Sequence, residues 1–69
     1  MPKHDSLIAK AREIASERDE KAAESMMIAE AHRNAGNSGT ASGWYVSAEH
    51  AEETAATLRA LASIVEATP

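Results

Sequence analysis

The chain contains no cysteine and no phenylalanine, and its aromatic side chains are limited to one Trp and one Tyr among 69 residues. Without cysteine the fold cannot be held by disulfides, and zinc sites and nucleophiles that depend on thiols are excluded. A domain of this length forms only a marginal core and usually relies on a disulfide, a metal or a partner subunit. We therefore expect a single domain over residues 1–69 that gains stability from a second copy.

Long apolar runs are also absent, since no run approaches the ~20 residues that a membrane span requires. The first residues, up to Asp5, lack the apolar segment of a signal peptide. These absences predict a cytoplasmic protein without a membrane partner. Large apolar side chains are scarce too, because sixteen of the apolar residues are alanines. Burial at about 25 cal/mol per Å² gives such a core little stability, so its main benefit is close approach of the backbones.

Two segments have the composition of helices, and a polar stretch separates them. Residues 5–35 contain neither Gly nor Pro and are rich in Ala, Glu, Lys and Arg, which are strong helix formers. Gly36 suits the left-handed position that ends a helix. Residues 36–46 hold all three glycines and are predicted to form a loop, followed by a second helix over residues 47–67. The sequence therefore predicts an all-α, two-helix antiparallel hairpin with a long first helix.

Small and apolar residues recur at alternating spacings of three and four in both predicted helices. In the second helix they are Ala48, Ala51, Ala55, Leu58, Ala62 and Val65. In the first helix the same spacing gives Ile8, Ala11, Ala15, Arg18, Ala22, Ser25, Ala29 and His32. Such rows predict the faces along which helices pack. Four successive charges, residues 18–21, interrupt the first helix, which indicates either a continuous helix with a polar waist or a bend.

The unequal lengths of the predicted helices favour a homodimer. Because residues 5–35 extend beyond the reach of residues 47–67, the start of the first helix has no partner within the hairpin. Exposed apolar patches of this kind usually mark interfaces. We predict that two hairpins form an antiparallel four-helix bundle. The predicted dimer interface consists of Leu7, Ile8, Ala11, Ile14 and Ala15.

The sequence carries no motif of a known type of active site: it lacks Gly-x-Ser-x-Gly, a phosphate-binding glycine loop and His-Glu-x-x-His. We expect no enzyme activity and no cofactor. The predicted function is a small, acidic, non-catalytic protein–protein interaction module, acting as an adaptor, regulator or inhibitor. Trp44, Tyr45 and Met27 are candidates for contacting an unidentified protein partner, because Trp and Tyr are enriched at binding hot spots and Met surfaces adapt to partners. Within this group we expect Trp44 mainly to cover the end of the hairpin.

Two alternative functions remain open. The first is a nucleic-acid-binding regulator of the helical-hairpin dimer type, but residues 3–33 carry six basic against seven acidic side chains. Phosphate binding depends on net positive charge, so we do not expect a nucleic-acid partner. The second is a metal-binding bundle, in which His32 and His50 would meet beside Glu30, Glu49 or Glu53. The spacing of these residues matches no established metal motif, so we predict no metal site.

Overall fold

The computed structural model describes residues 4–68 and consists of two helices packed against each other in antiparallel orientation. Helix α1 spans Asp5–Asn34 and helix α2 spans Ser38–Ala67, each with 30 residues. The molecule is a rod whose Cα atoms extend over 54 × 13 × 9 Å. Its radius of gyration of 15.8 Å exceeds the ~11 Å of a compact chain of this length. The predicted all-α antiparallel hairpin is confirmed.

The connection between the helices is short and is closed by Gly36. This residue has a φ of 83°, in the left-handed region that favours glycine. Its N–H donates to the Arg33 carbonyl over 3.1 Å, and the N–H of Asn37 donates to the His32 carbonyl over 2.8 Å. This pair of hydrogen bonds is the Schellman ending of a helix. The prediction that Gly36 ends the first helix is confirmed.

The predicted loop over residues 36–46 is wrong, and so is the start of the predicted helix over 47–67, because α2 begins at Ser38; the end of that helix agrees with the prediction. Gly39 and Gly43 are helical despite the poor helix propensity of glycine. Tertiary packing outweighs that local preference, since Ala41 is buried against α1 and Trp44 is half-buried. The two helices are therefore equal in length, and the predicted overhang of the first helix does not exist.

The packing face of each helix follows the predicted spacing of three and four, and α2 extends it toward its start. One row repeats every seven residues and is almost entirely alanine; we call it the alanine row. Its buried members are Ile8, Ala15, Ala22 and Ala29 in α1, and Ala41, Ala48, Ala55 and Ala62 in α2. A second row lies beside it, at Ala11, Arg18, Ser25 and His32 in α1 and at Trp44, Ala51, Leu58 and Val65 in α2. Small side chains in the alanine row allow the helices to approach closely.

Helix α1 is continuous through its charged stretch, so the polar-waist interpretation is confirmed and the bend is not observed. Arg18 occupies a position of the second row but is exposed. Among the described residues, one polar side chain is buried, that of Ser25. Its hydroxyl has no hydrogen-bond partner. Its small size suits the close approach of the helices at that level.

Two ion pairs bridge the helices along one side of the packing face. Arg12 donates two hydrogen bonds to Glu66, of 3.0 and 3.1 Å, and Arg59 donates one of 2.5 Å to Asp19. Exposed ion pairs contribute little to stability, but these two select the register. A shift of one heptad would place Arg12 opposite Arg59, and like charges in contact are disfavoured.

Over the described residues, neither helix has an apolar stretch long enough to cross a membrane.

Candidate protein-interaction surface

An apolar groove lies at the open end of the hairpin, where α1 begins and α2 ends. Its volume is about 310 Å³, and every residue that lines it is apolar: Leu7, Ile8, Ala11, Leu58, Leu61, Ala62 and Val65. On its rim, Leu7 is 60% exposed and Leu61 is 52% exposed. Ile64, one turn beyond Leu61, is 62% exposed. The groove therefore presents large apolar side chains to solvent on both helices.

The two sides of the packing face differ in chemistry. Leu7 and Ile14 immediately precede positions of the alanine row, whereas Arg12 and Asp19 immediately follow positions of the second row. In a heptad repeat these positions lie on opposite sides of the contact between the helices. We call the residues Leu7, Ile14, Leu61 and Ile64 the apolar flank, and the two interhelical ion pairs the ionic flank.

The ionic flank is electrostatically satisfied within the hairpin. The hydrogen bonds and the positive charge of Arg12 lower the pKa of Glu66, and the same contact raises the pKa of Arg12. These side chains are each about half exposed. Within the part of the chain that the structure describes, Leu7, Leu61 and Ile64 of the apolar flank stay more than half exposed. The apolar flank can therefore bury further surface against another molecule, whereas the charges of the ionic flank are already paired.

The predicted dimer-interface residues separate into two groups in the structure. Leu7 is exposed, and Ala11 and Ile14 are half-buried, so all three can contact another chain. Ile8 and Ala15 are buried inside the hairpin, so they offer almost no exposed surface to a second chain, and their assignment to a dimer interface stays a prediction. The reason is that α2 reaches the open end, where residues 58–65 cover the start of α1.

The predicted partner-binding residues are all helical and do not form one cluster with the groove. Trp44 and Tyr45 are half-buried, roughly two turns inside α2, so their predicted place within the loop over residues 36–46 is wrong. Trp44 occupies the second row, consistent with a structural contribution at the loop end of the hairpin. Met27 is 72% exposed and directed away from the packing face. Binding of a partner by Trp44, Tyr45 or Met27 stays a prediction.

The histidines of the metal-binding alternative are not brought together. His32 lies in the last turn of α1, whereas His50 lies roughly three turns into α2 and away from that end. His50 instead borders a shallow depression with Glu53, Thr54 and Thr57. Between His4 and Thr68, no three His, Cys, Asp or Glu side chains lie close enough together to hold a metal ion.

Sequence reasoning did not include Leu61 and Ile64 among the candidate interface residues, although both are exposed beside the groove. The available signal was their position beside the spacing of three and four in the second helix, which places them next to the packing face rather than on it. No protein family, curated protein or solved structure matches this chain.

Proposed function

We propose that this hairpin is a small, non-catalytic protein–protein interaction module that acts as a homodimer. The observation that carries the proposal is the apolar flank, whose groove is lined by apolar side chains alone. Large apolar residues grouped together at the surface, rather than scattered singly, are typical of interaction sites. Two apolar flanks in contact make an antiparallel four-helix bundle, with both ionic flanks at the solvent.

The surface area of the hairpin supports a second copy as the occupant of this flank. The chain exposes 4943 Å², about 770 Å² more than the ~4170 Å² of a compact monomer of 7.3 kDa. A standard protein interface covers about 800 Å² on each partner. One dimer contact along the rod therefore removes the surplus surface that a single hairpin exposes.

The scarcity of large buried side chains in the hairpin also favours association. Apart from Ile8, the buried apolar residues between His4 and Thr68 are all alanines, and each contributes little apolar area at about 25 cal/mol per Å². Larger side chains that would stabilise the fold more, Leu7, Leu61 and Ile64, are more than half exposed. In a dimer they leave water, so association supplies burial that the hairpin lacks.

A dimer built on the apolar flank leaves other surfaces available to a protein partner of the module. Met27 is exposed on α1, and an exposed Met is well suited to adaptable contacts. Replacing Met27 by Ala is expected to weaken capture of that partner without changing the mass of the dimer.

Thermal unfolding at several protein concentrations tests the proposed self-association. The melting temperature of the wild-type chain is expected to rise over roughly a hundredfold increase in concentration, because association stabilises the folded state. Leu61→Asp places a charge in the apolar flank and is expected to abolish this dependence while the chain remains helical at low temperature.

The matched control is Met27→Asp, which adds the same charge at another exposed apolar position of the hairpin. It is expected to retain the concentration dependence of the wild-type chain. A melting temperature that is independent of concentration in the wild-type chain contradicts the proposal, as does equal loss in both variants.

A further inference from the structure

We infer that the two copies pair antiparallel through α1, about a two-fold axis near Ile14, with Lys10 of each copy facing Glu17 of the other. This inference rests on the proposed homodimer and adds its orientation. It follows from where the apolar flank ends and from the charges that border it.

Both helices contribute large apolar residues to this side of the packing face only in the open half of the rod. Along α1, Lys21 separates Leu7 and Ile14 from Ile28, and along α2 Leu61 is preceded at the same spacing by Thr54 and Ser47. A closed two-fold dimer uses the same patch on both subunits. The axis therefore passes through the open half, where Ile14 is the innermost large apolar residue of the flank. Leu7 then faces the aliphatic stem of the partner's Lys21, which can cover apolar surface.

Two exposed charges border the row formed by Leu7 and Ile14. Lys10 lies one turn after Leu7, and Glu17 lies one turn after Ile14. Both are on the surface, and the ion pair of Lys10 with Glu13 spans 3.5 Å between exposed side chains, so it is readily exchanged for another. These two charges are therefore available at the edge of a dimer contact.

The signs of these charges select one orientation of the two helices. In an antiparallel pair centred on Ile14, Lys10 meets Glu17 of the partner subunit, and the contact occurs twice by symmetry. In a parallel pair, Lys10 meets a second lysine and Glu17 meets a second glutamate. Opposite charges across an interface fix its register, while like charges in contact disfavour the wrong one. The antiparallel arrangement also points the two Gly36 connections away from each other.

Disulfide trapping tests the orientation directly, because the chain has no cysteine of its own. Copies carrying Lys10→Cys are mixed with copies carrying Glu17→Cys under mild oxidation. A disulfide forms only between Cα atoms within about 7 Å, so the expected product is the mixed dimer. Ser16→Cys, on an exposed position outside the flank, is the control and is expected to stay unlinked. Predominant linkage of Lys10→Cys copies to one another overturns the antiparallel orientation.

Reversing the charges of Lys10 and Glu17 tests the same orientation at equilibrium, through the dissociation constant of the dimer. Lys10→Glu or Glu17→Lys alone is expected to raise the dimer dissociation constant roughly fivefold to tenfold, because each places like charges together twice. The double variant is expected to restore the wild-type value. Single variants that associate as tightly as the wild-type chain overturn the orientation, whereas a wild-type chain that remains monomeric overturns the homodimer itself.

Discussion

Replacing each of the three glycines by alanine distinguishes the observed helix over residues 38–43 from the loop that the composition predicts there. Gly39 and Gly43 are helical, and a Cβ added at either position meets no atom within 4 Å. Glycine is therefore not required there by close packing. Gly43 lies in the interior of α2, where Gly→Ala stabilises by about 1 kcal/mol, whereas Gly39 lies in the first turn, where the gain is smaller. The double variant is therefore expected to gain about 1–2 kcal/mol.

Gly36 is the matched control, because its surroundings are equally open but its backbone is not helical. A Cβ at Gly36 also meets nothing within 4 Å, yet the residue has a φ of 83°. An L-residue in this region costs roughly 1–2 kcal/mol. Gly36→Ala is therefore expected to destabilise the hairpin, in the direction opposite to the other two substitutions.

Thermal denaturation followed by circular dichroism measures both effects, with the protein concentration held constant because the proposed association contributes to stability. For a domain of this size each kcal/mol corresponds to about 4–8 °C in melting temperature. The double variant of Gly39 and Gly43 is expected to melt higher by about 4–16 °C, and Gly36→Ala lower than the wild-type chain. If residues 38–43 were instead a loop, alanine at these two positions would change little. A neutral or destabilising double variant would refute the helical assignment.

Three further perturbations examine the packing and the charges. Ala55→Leu, in the alanine row, is expected to cost about 1–3 kcal/mol by overpacking, whereas Ala56→Leu at the exposed neighbouring position should change stability by less than about 0.5 kcal/mol in urea unfolding. Equal effects would show that the alanine row is not the helix contact. Trp44→Ala is expected to cost about 2 kcal/mol, roughly half the value for a fully buried Trp, and an unchanged melting temperature would contradict its structural role. Because Arg12 lowers the pKa of Glu66, its contribution is present above the ordinary pKa of a glutamate and is lost as the pH falls through the lowered value. Melts from neutral pH to about pH 2 should therefore show a smaller decline for Glu66→Gln than for the wild-type chain.

The sequence was sufficient to predict most of the hairpin because the periodic signal in both helices is strong. The bounds of α1 and the packing positions from Ala48 to Val65 follow from composition and spacing alone. The first nine residues of α2, residues 38–46, were assigned to the loop because Gly, Ser and Thr favour a loop locally, and propensity is a weak guide against tertiary packing. Ala41 and Trp44 continue the spacing of Ala48, so the periodic signal was present but was outweighed by composition.

The candidate site was predicted only in part, because its residues come from both ends of the chain. The error in the start of α2 produced a false overhang, and this assigned the buried residues Ile8 and Ala15 to the interface. The contribution of Leu61 depends on the register, which the pairing of Arg12 with Glu66 across the hairpin helps to select. Contacts between residues so distant in sequence can be predicted only when the bounds of both helices, and therefore their register, are known.

Sedimentation equilibrium of the wild-type chain at micromolar concentration tests the central claim most directly. The claim is that a hairpin with an alanine row as its core completes its burial by pairing its apolar flank with that of a second copy. The predicted result is a mass of twice 7.3 kDa that falls to the single-chain value in Leu61→Asp. A mass of 7.3 kDa for the wild-type chain, with the helices fully formed, would contradict the claim.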